Sequence, residues 1–174
     1  MIPFRRRRGG VLVATMTPDE VELMRALTMQ LGMLLEPVTG FTDDDPLPGL
    51  VIGGSDEAPE DAALARLLPN AYRDNDEAAS EFRRMTERGL ANRKAASAVA
   101  VASSIPDDGR IELDEPTAIA WLRTLSDLRL VLAERLGIET EESEIADDEQ
   151  SQALGEVYDW LGFALETLVR ALDR

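Results

Sequence analysis

Residues 10–36, GVLVATMTPDEVELMRALTMQLGMLLE, carry the signals that decide the fold. The apolar run over residues 10–16 predicts a short β-strand. Thr17 then supplies a helix N-cap, with Pro18 at the first helical position and Glu20 three residues after the cap, which is the pattern of a capping box. The leucines and methionines that follow recur at helical spacing. We therefore expect a strand that leads directly into an amphipathic helix ending at about residue 36.

The same order of signals returns 98 residues later in the chain. This shift places Val13 on Ile111 and Arg25 on Arg123. We expect the strands near 10–16 and 110–113 to pair as a small two-stranded antiparallel sheet, each feeding a core helix. Chance similarity between two capped amphipathic helices is the alternative explanation of this internal echo, and the sequence leaves both open.

Apolar periodicity and capping residues predict the remaining helices. They are expected at about residues 60–68, 74–104, 115–136 and 149–172, with Asp74 as the cap of the second of these. The expected fold is mainly α: a single domain over residues 1–174, built as a helical bundle of about five helices with the small sheet. Three segments are expected to lie outside the bundle, namely a basic N-terminal arm at 1–9 and acidic loops at about 37–59 and 138–149.

The composition excludes several classes of chemistry. The 174 residues include no cysteine and no histidine, and 34 Asp+Glu outweigh 18 Lys+Arg to give a formal net charge of −16. Disulfides, thiolate nucleophiles, Cys/His zinc sites and histidine acid–base catalysis are thereby removed. Glycine-rich phosphate loops and the calcium-loop spacing are missing too, and the run Asp43–Asp45 fits a solvated loop better than a metal site. We expect no enzyme, no catalytic residue, no metal and no cofactor.

The longest uncharged run is too short to cross a bilayer, so no membrane partner and a cytoplasmic location are expected. A net charge of −16 also opposes general attraction to nucleic acid. Two local groups of basic residues nevertheless remain candidates for contacting DNA: Arg5, Arg6, Arg7 and Arg8 in the arm, and Arg83, Arg84, Arg88 and Lys94 on a helix face. The arm could equally fold onto the acidic body, and the second group could be a solvated face lying opposite Phe82 and Met85.

Two further features concern the helices. Arg129 falls inside an apolar stripe, where its guanidinium must reach solvent or pair with an acid, so a structural ion pair is expected. The last helix is apolar around most of its girth. Its leucine stripe should face the core, whereas Trp160 and Phe163 are candidates for a partner or homodimer interface.

Four stretches of this sequence resemble one known family. They are LLPNAYRD at 67–74, EFRR at 81–84, AWLRTLSDLRL at 120–130 and YDWL at 158–161. The family is catalogued as domain of unknown function 2017, and the likeness covers nearly the whole chain. The resemblance implies a transcriptional regulator of the actinomycete oxidative stress type, in which sensing is attributed to a cysteine pair, and genes that lie beside that of the Clp protease adaptor. This chain has no cysteine, so no sensing residue is carried over.

Two functional hypotheses follow. The first is a non-enzymatic transcriptional regulator that acts through protein contacts, with the transcription machinery as a candidate partner, and through its basic segments on DNA, without cysteine redox sensing. The alternative is an interaction or adaptor module of the Clp protease system, with no nucleic acid involved and with the Trp160/Phe163 face as its docking surface.

Overall fold

The computed structural model describes residues 1–40, 53–72, 75–140, 143 and 145–173, and the predicted metal alternative at Asp43–Asp45 lies outside these residues. The described residues contain three strands and five helices. The strands are β1 (Ile2–Arg6), β2 (Leu12–Thr15) and β3 (Arg110–Leu113), and the helices are α1 (Pro18–Leu35), α2 (Ala62–Leu67), α3 (Asp76–Ser103), α4 (Glu115–Arg135) and α5 (Glu149–Leu172). The expectation of a mainly α bundle of about five helices is confirmed.

Capping residues set the starts of the long helices. The Thr17 hydroxyl accepts from the backbone N–H of Glu20 at 3.3 Å, and the Glu20 carboxylate accepts from the N–H of Thr17 at 2.7 Å, so the predicted capping box forms. Asp114 is the N-cap of α4, and its carboxylate accepts from the N–H of Thr117 at 3.0 Å. The cap of α3 is Asn75, whereas the predicted cap, Asp74, lies outside the described residues.

The sheet has the order β1-β2-β3, with β2 antiparallel to both neighbours. The predicted pairing of β2 with β3 is confirmed, and it places Leu12 opposite Leu113. The expected two-stranded sheet is corrected to three strands, because residues 2–6 of the supposed basic arm form β1. The physical reason is burial of Phe4, whose ring meets that of Trp121 edge to face at a centroid distance of 5.6 Å.

The core lies between the inner face of the sheet and the helices. Trp121 at its centre is fully buried, and its indole N–H donates to the Ser104 hydroxyl at 2.8 Å. Helix α4 carries this tryptophan and packs against α2, α3 and α5, while α1 packs against α3 and α5 packs against β1. Helix α4 is therefore the central element around which the others are arranged.

The N-terminal half of α3 faces opposite to the sequence expectation. Phe82 and Met85 are 39% and 51% exposed, whereas Arg83 and Glu87 on the other side of the helix are buried. The buried side is polar because residues distant in sequence supply its hydrogen bonds: the Glu87 carboxylate accepts from the N–H of Ser55 at 2.8 Å. The sequence placed the basic residues, Arg83 among them, on a DNA-contacting or solvated face opposite Phe82 and Met85, and a pattern within one helix could not include these distant partners.

Candidate functional site

The outer face of the sheet is a cationic surface. Side chains alternate between the two faces of a strand, and the register places Arg5 opposite Val13 and Arg110 opposite Thr15 on the side away from the core. A groove of about 560 Å³ on this face is lined by four arginines, Arg5, Arg6, Arg7 and Arg110, and by the acidic Glu112, which lies opposite Val13. Arg6 lies opposite the buried Leu12 and lines the groove from the edge strand. We call this surface, defined by its four arginines, the sheet face.

A tight turn extends this surface at the end of the β1–β2 hairpin. The N–H of Arg7 donates to the carbonyl of Val11 at 2.8 Å, and Gly9 and Gly10 adopt positive φ angles of 96° and 86°. Glycine takes this conformation without the strain that a Cβ atom would add. Arg8 is consequently held in an exposed turn next to the sheet face.

Most of these arginines are not neutralised within the chain. Arg7 lies 3.8 Å from the Glu112 carboxylate and Arg110 lies 3.8 Å from that of Asp108, but all four side chains are well exposed. Ion pairs of this kind contribute little free energy in water. Within the described part of the chain the side chains of the other three make no ion pair or hydrogen bond, namely Arg5, Arg6 and Arg8. The surface thus has unpaired positive charge on a strongly acidic protein.

The second predicted basic group is divided by the structure. Arg83 is buried and donates to the side-chain oxygen of Asn70 and, at 2.6 Å, to the carbonyl of Asp56. Lys94 forms a largely buried ion pair with Asp127, with 2.5 Å between nitrogen and oxygen. Both cations therefore serve interactions inside the fold.

The two remaining members of that group meet the segment preceding α2. Arg84 is about half exposed and lies 3.3 Å from the carboxylate of Asp56. The backbone N–H of Arg88 donates to the carbonyl of Gly53 at 2.8 Å. The Arg88 guanidinium occupies the space that a Cβ atom on Gly53 would need. The four residues do not present one continuous cationic face.

Arg129 is half-buried between α4 and α5. Its guanidinium donates to the carbonyl of Tyr158 at 3.0 Å and lies 4.0 Å above the ring of the same residue, so a cation–π contact accompanies the hydrogen bond. Gly162 allows this approach, because a Cβ atom there would collide with the guanidinium. The ion pair expected for Arg129 does not form within the described residues, and a carbonyl and an aromatic ring replace the acid.

Trp160 and Phe163 differ in their surroundings. The indole N–H of Trp160 donates to the Glu20 carboxylate at 2.9 Å, and the amino group of Met1 donates to the same oxygen at 2.5 Å. Phe163 is 44% exposed. Trp160 therefore joins α5 to the start of α1, and of the two residues Phe163 alone presents much of its ring to solvent.

Glu20 is the electrostatic centre of that junction. Its partial burial acts to raise the pKa of the carboxyl, but hydrogen bonds from the Met1 amino group, Thr17 and Trp160 outweigh burial and hold the pKa below its ordinary value. A single carboxylate thus links the capping box, the first residue and α5.

The described residues hold no group of three or more His, Cys, Asp or Glu side chains placed to bind a metal ion. No helix in that part of the chain has the length and apolar character needed to span a membrane. The sheet face is the best candidate site among the predicted residues, because its arginines are exposed and two of them, Arg5 and Arg6, lack a partner in the described part of the chain. Arg110 was not singled out from the sequence, although the predicted pairing of its strand with residues 10–16 could have placed it there.

Comparison with known proteins identifies relatives of the whole chain. The sequence profile described as Domain of unknown function (DUF2017) matches residues 1–172. A protein of Mycobacterium leprae that is proposed by its name to be the oxidative stress regulator AosR is 31% identical over 179 residues, which cover 91% of this chain and 81% of the relative.

Named relatives in two further mycobacteria agree with that match. The oxidative stress regulators AosR of Mycobacterium bovis and Mycobacterium tuberculosis are each 30% identical over 183 residues, which cover 95% of this chain and 84% of the relative. No solved structure matches the chain.

Proposed function

The chain belongs to the DUF2017 family, and from that membership we propose that it is a non-enzymatic transcriptional regulator that binds protein partners and contacts DNA through its sheet face. The names of its relatives support a regulatory role. The observation that carries the DNA contact is the gathering of Arg5, Arg6, Arg7 and Arg110 along one groove, with Arg8 beside it. This role requires a cytoplasmic location.

The physical basis of the contact is neutralisation of phosphates. Guanidinium groups bind phosphate oxygens with two parallel hydrogen bonds, and each neutralised phosphate releases condensed counterions. A two-stranded hairpin is also narrow enough to approach a DNA groove. Because the rest of the protein is acidic, repulsion would orient the molecule with this face toward the duplex. The contact is then dominated by the DNA backbone and has little sequence preference.

Oxidant sensing through thiols plays no part in this proposal. The chain contains no cysteine, so neither a disulfide nor a sulfenic acid can form in it. The regulator role and the thiol mechanism are therefore separable, and we assign only the first to this protein.

The test is binding of a short labelled DNA duplex, followed by fluorescence anisotropy at about 50 and about 200 mM NaCl. With three or more phosphates neutralised, the affinity of the unmodified protein should fall by about 40-fold between these salt concentrations. The variant R5A/R6A/R8A should lose binding at low salt. The variant R84A/R93A/R123A removes the same charge from exposed sites elsewhere and is the matched control.

The outcomes separate the two functional hypotheses. Equal loss in both triple variants, or no binding of the unmodified protein at low salt, would overturn the DNA contact. Immobilised protein in a native extract should enrich components of the transcription machinery. Enrichment of Clp components in the absence of DNA binding would favour the adaptor role instead.

A further inference from the structure

A second groove lies between α3 and α4, and it shares no lining residue with the sheet face. It has a volume of about 420 Å³ and is formed by one stripe from each helix. The helices run in opposite directions. Lys94 contacts Asp127, while Ser104 at the C-cap of α3 contacts Trp121, which precedes Asp127 on α4. The stripe on α3 comprises Leu90, Arg93, Lys94 and Ser97, and that on α4 comprises Leu122, Arg123, Ser126 and Asp127.

The floor of this groove combines apolar side chains with polar groups that contact partners within the fold. Leu90 and Leu122 are half-buried and contribute apolar surface, and the Lys94–Asp127 pair closes the floor with compensating charges. The two serine hydroxyls donate to carbonyls of their own helices: Ser97 to Arg93 at 3.0 Å and Ser126 to Leu122 at 2.8 Å. The two serines and the Lys94–Asp127 pair thus have partners within the fold.

The rim of the groove carries unpaired positive charge. Arg93 and Arg123 are exposed, and within the described residues neither side chain makes an ion pair, a hydrogen bond or a ring contact. This contrasts with most other exposed arginines on the helices. Several of those pair with carboxylates of this acid-rich chain, namely Arg25, Arg84, Arg135 and Arg170.

We propose that this groove is the docking site for an acidic amphipathic helix of a partner protein. Its apolar side chains would pack on Leu90 and Leu122, and its flanking carboxylates would pair with Arg93 and Arg123. Charge complementarity between these two guanidiniums and carboxylates of the partner favours this occupant, and a second copy of the chain is an outcome of the test below. The inference rests on the protein-contact part of the proposed function and is independent of the DNA contact.

The exposed stripe of α4 gives the surface its length. Ile119 and Leu130 are partly exposed at its two ends, with Arg123 and Ser126 between them at helical spacing. The eleven steps from Ile119 to Leu130 span about 16 Å of helix, so a partner helix of about three turns would match the stripe. An amphipathic helix with apolar residues at its ends and carboxylates at its centre would be complementary to this stripe.

The acid excess of the whole protein does not prevent this contact. At physiological ionic strength the Debye length is about 8 Å, so distant carboxylates are largely screened while a paired guanidinium and carboxylate are not. Two unpaired guanidiniums at the rim therefore dominate the local potential. They also give the groove a preference between acidic and basic partners.

The experiment uses two labelled helical peptides of about 14 residues with leucines along one face. One carries Glu on its polar face and the other carries Lys at the same positions. The unmodified protein should bind the acidic peptide, and R93E/R123E should weaken that binding by about tenfold or more while improving binding of the Lys peptide. The control R5E/R8E makes the same charge change on the hairpin and should weaken acidic-peptide binding by less than about twofold.

Three results would overturn the proposal: no preference for the acidic peptide, an equal effect of the two charge-reversed variants, or dimers that R93E/R123E dissociates in sedimentation. Urea unfolding of each variant verifies that the fold is intact. DNA binding by R93E/R123E distinguishes the proposals, since failure of the groove leaves the DNA contact of the sheet face unchanged and the reverse also holds.

Discussion

At the scale of single residues, the Lys94–Asp127 pair joins α3 to α4 under the groove. The nitrogen and oxygen are 2.5 Å apart, and 17% and 7% of the two side chains are exposed. Burial raises the pKa of the Asp127 carboxyl above its ordinary value, and the charge and hydrogen bond of Lys94 offset only part of that effect. Lys94 therefore offsets part of the free-energy cost of burying this carboxylate.

We predict that Lys94→Met lowers the free energy of unfolding at neutral pH by about 3 kcal/mol, because it leaves Asp127 buried without a cation. The double variant K94M/D127L replaces the pair with apolar groups and should lie within about 1 kcal/mol of the unmodified protein. Urea unfolding measures both. A single variant as stable as the original, or a double variant less stable than the single, contradicts the assignment.

The pKa of Glu20 is lowered, whereas that of Asp127 is raised. The contribution of Glu20 to stability therefore has the opposite pH dependence. Its pKa in the folded protein lies below the ordinary value of 4.5. It therefore stabilises the fold at pH values above about 4.5, and that contribution is lost as the pH falls through the folded pKa. Glu20→Gln should cost about 1 kcal/mol at pH 7 and have a diminishing effect in acid.

Urea unfolding between about pH 7 and pH 3 tests this prediction. Asp19→Asn is the matched control, since Asp19 is the adjacent acid in the same helical turn and is exposed. Its effect should be smaller than that of Glu20→Gln at pH 7. A Glu20→Gln effect that grows toward low pH would contradict the lowered pKa.

At the scale of elements, the connection into β3 depends on a close backbone approach. Gly109 has a φ of 69°, and a Cβ atom there would stand 2.2 Å from the carbonyl oxygen of Met16. The N–H of Met16 donates to the carbonyl of Gly109 at 2.9 Å, which joins the end of β2 to the start of β3. Gly137 after α4 has a nearly identical φ of 68°, with open space around it.

Replacing each of these two glycines with alanine should separate the cost of backbone strain from the cost of a steric collision. Gly137→Ala should cost about 1 to 2 kcal/mol, the conformational penalty of a left-handed residue. Gly109→Ala carries the same penalty and must also move backbone, so its loss in urea unfolding should be clearly larger. Equal losses would mean that the approach to Met16 can relax without cost.

The elements also mark the limit of what the sequence predicts. The caps and apolar periodicity of α1 and α4 are local signals, and those helices lie where these signals place them. Strand β1 carries Pro3 and two arginines, a pattern typical of a loop or tail, and it is a strand because β2 pairs with it and Phe4 reaches Trp121. Such long-range contacts have no local signature.

The same limit applies to the candidate site. The basic character of residues 5–8 is visible in the sequence. Their arrangement in a groove with Arg110 depends on the formation of β1, which the sequence did not predict. In the second basic group, Arg83 and its neighbour Arg84 look equivalent in the sequence, yet Asn70 and Asp56 hold the first inside the fold. Charge can be counted from a sequence, but its availability is set by tertiary partners.

At the scale of the whole molecule, charge is distributed unevenly. The chain has a formal net charge of −16, yet among the residues that the structure describes the unpaired arginines are concentrated on the hairpin and on the rim of the α3–α4 groove. The two surfaces belong to different elements and can be altered independently. A regulator that joins a protein partner to DNA requires this kind of separation, since each contact must tolerate occupation of the other.

Because this protein contains no cysteine, methionine is its readily oxidised sulfur-containing residue. The fold of the whole molecule determines which methionines an oxidant can reach. Met29, Met33 and Met85 are 62%, 63% and 51% exposed, while Met16 and Met24 are 3% and 0% exposed. Mild hydrogen peroxide should therefore convert the first three to sulfoxides well before the last two, as followed by peptide mass spectrometry. In urea the difference in rate should vanish, which is the control for intrinsic reactivity.

None of the exposed three lines the sheet face, so DNA binding should persist after this oxidation. Early oxidation of Met24 would contradict the core described above, and loss of DNA binding would mean that α1 or α3 influences the hairpin.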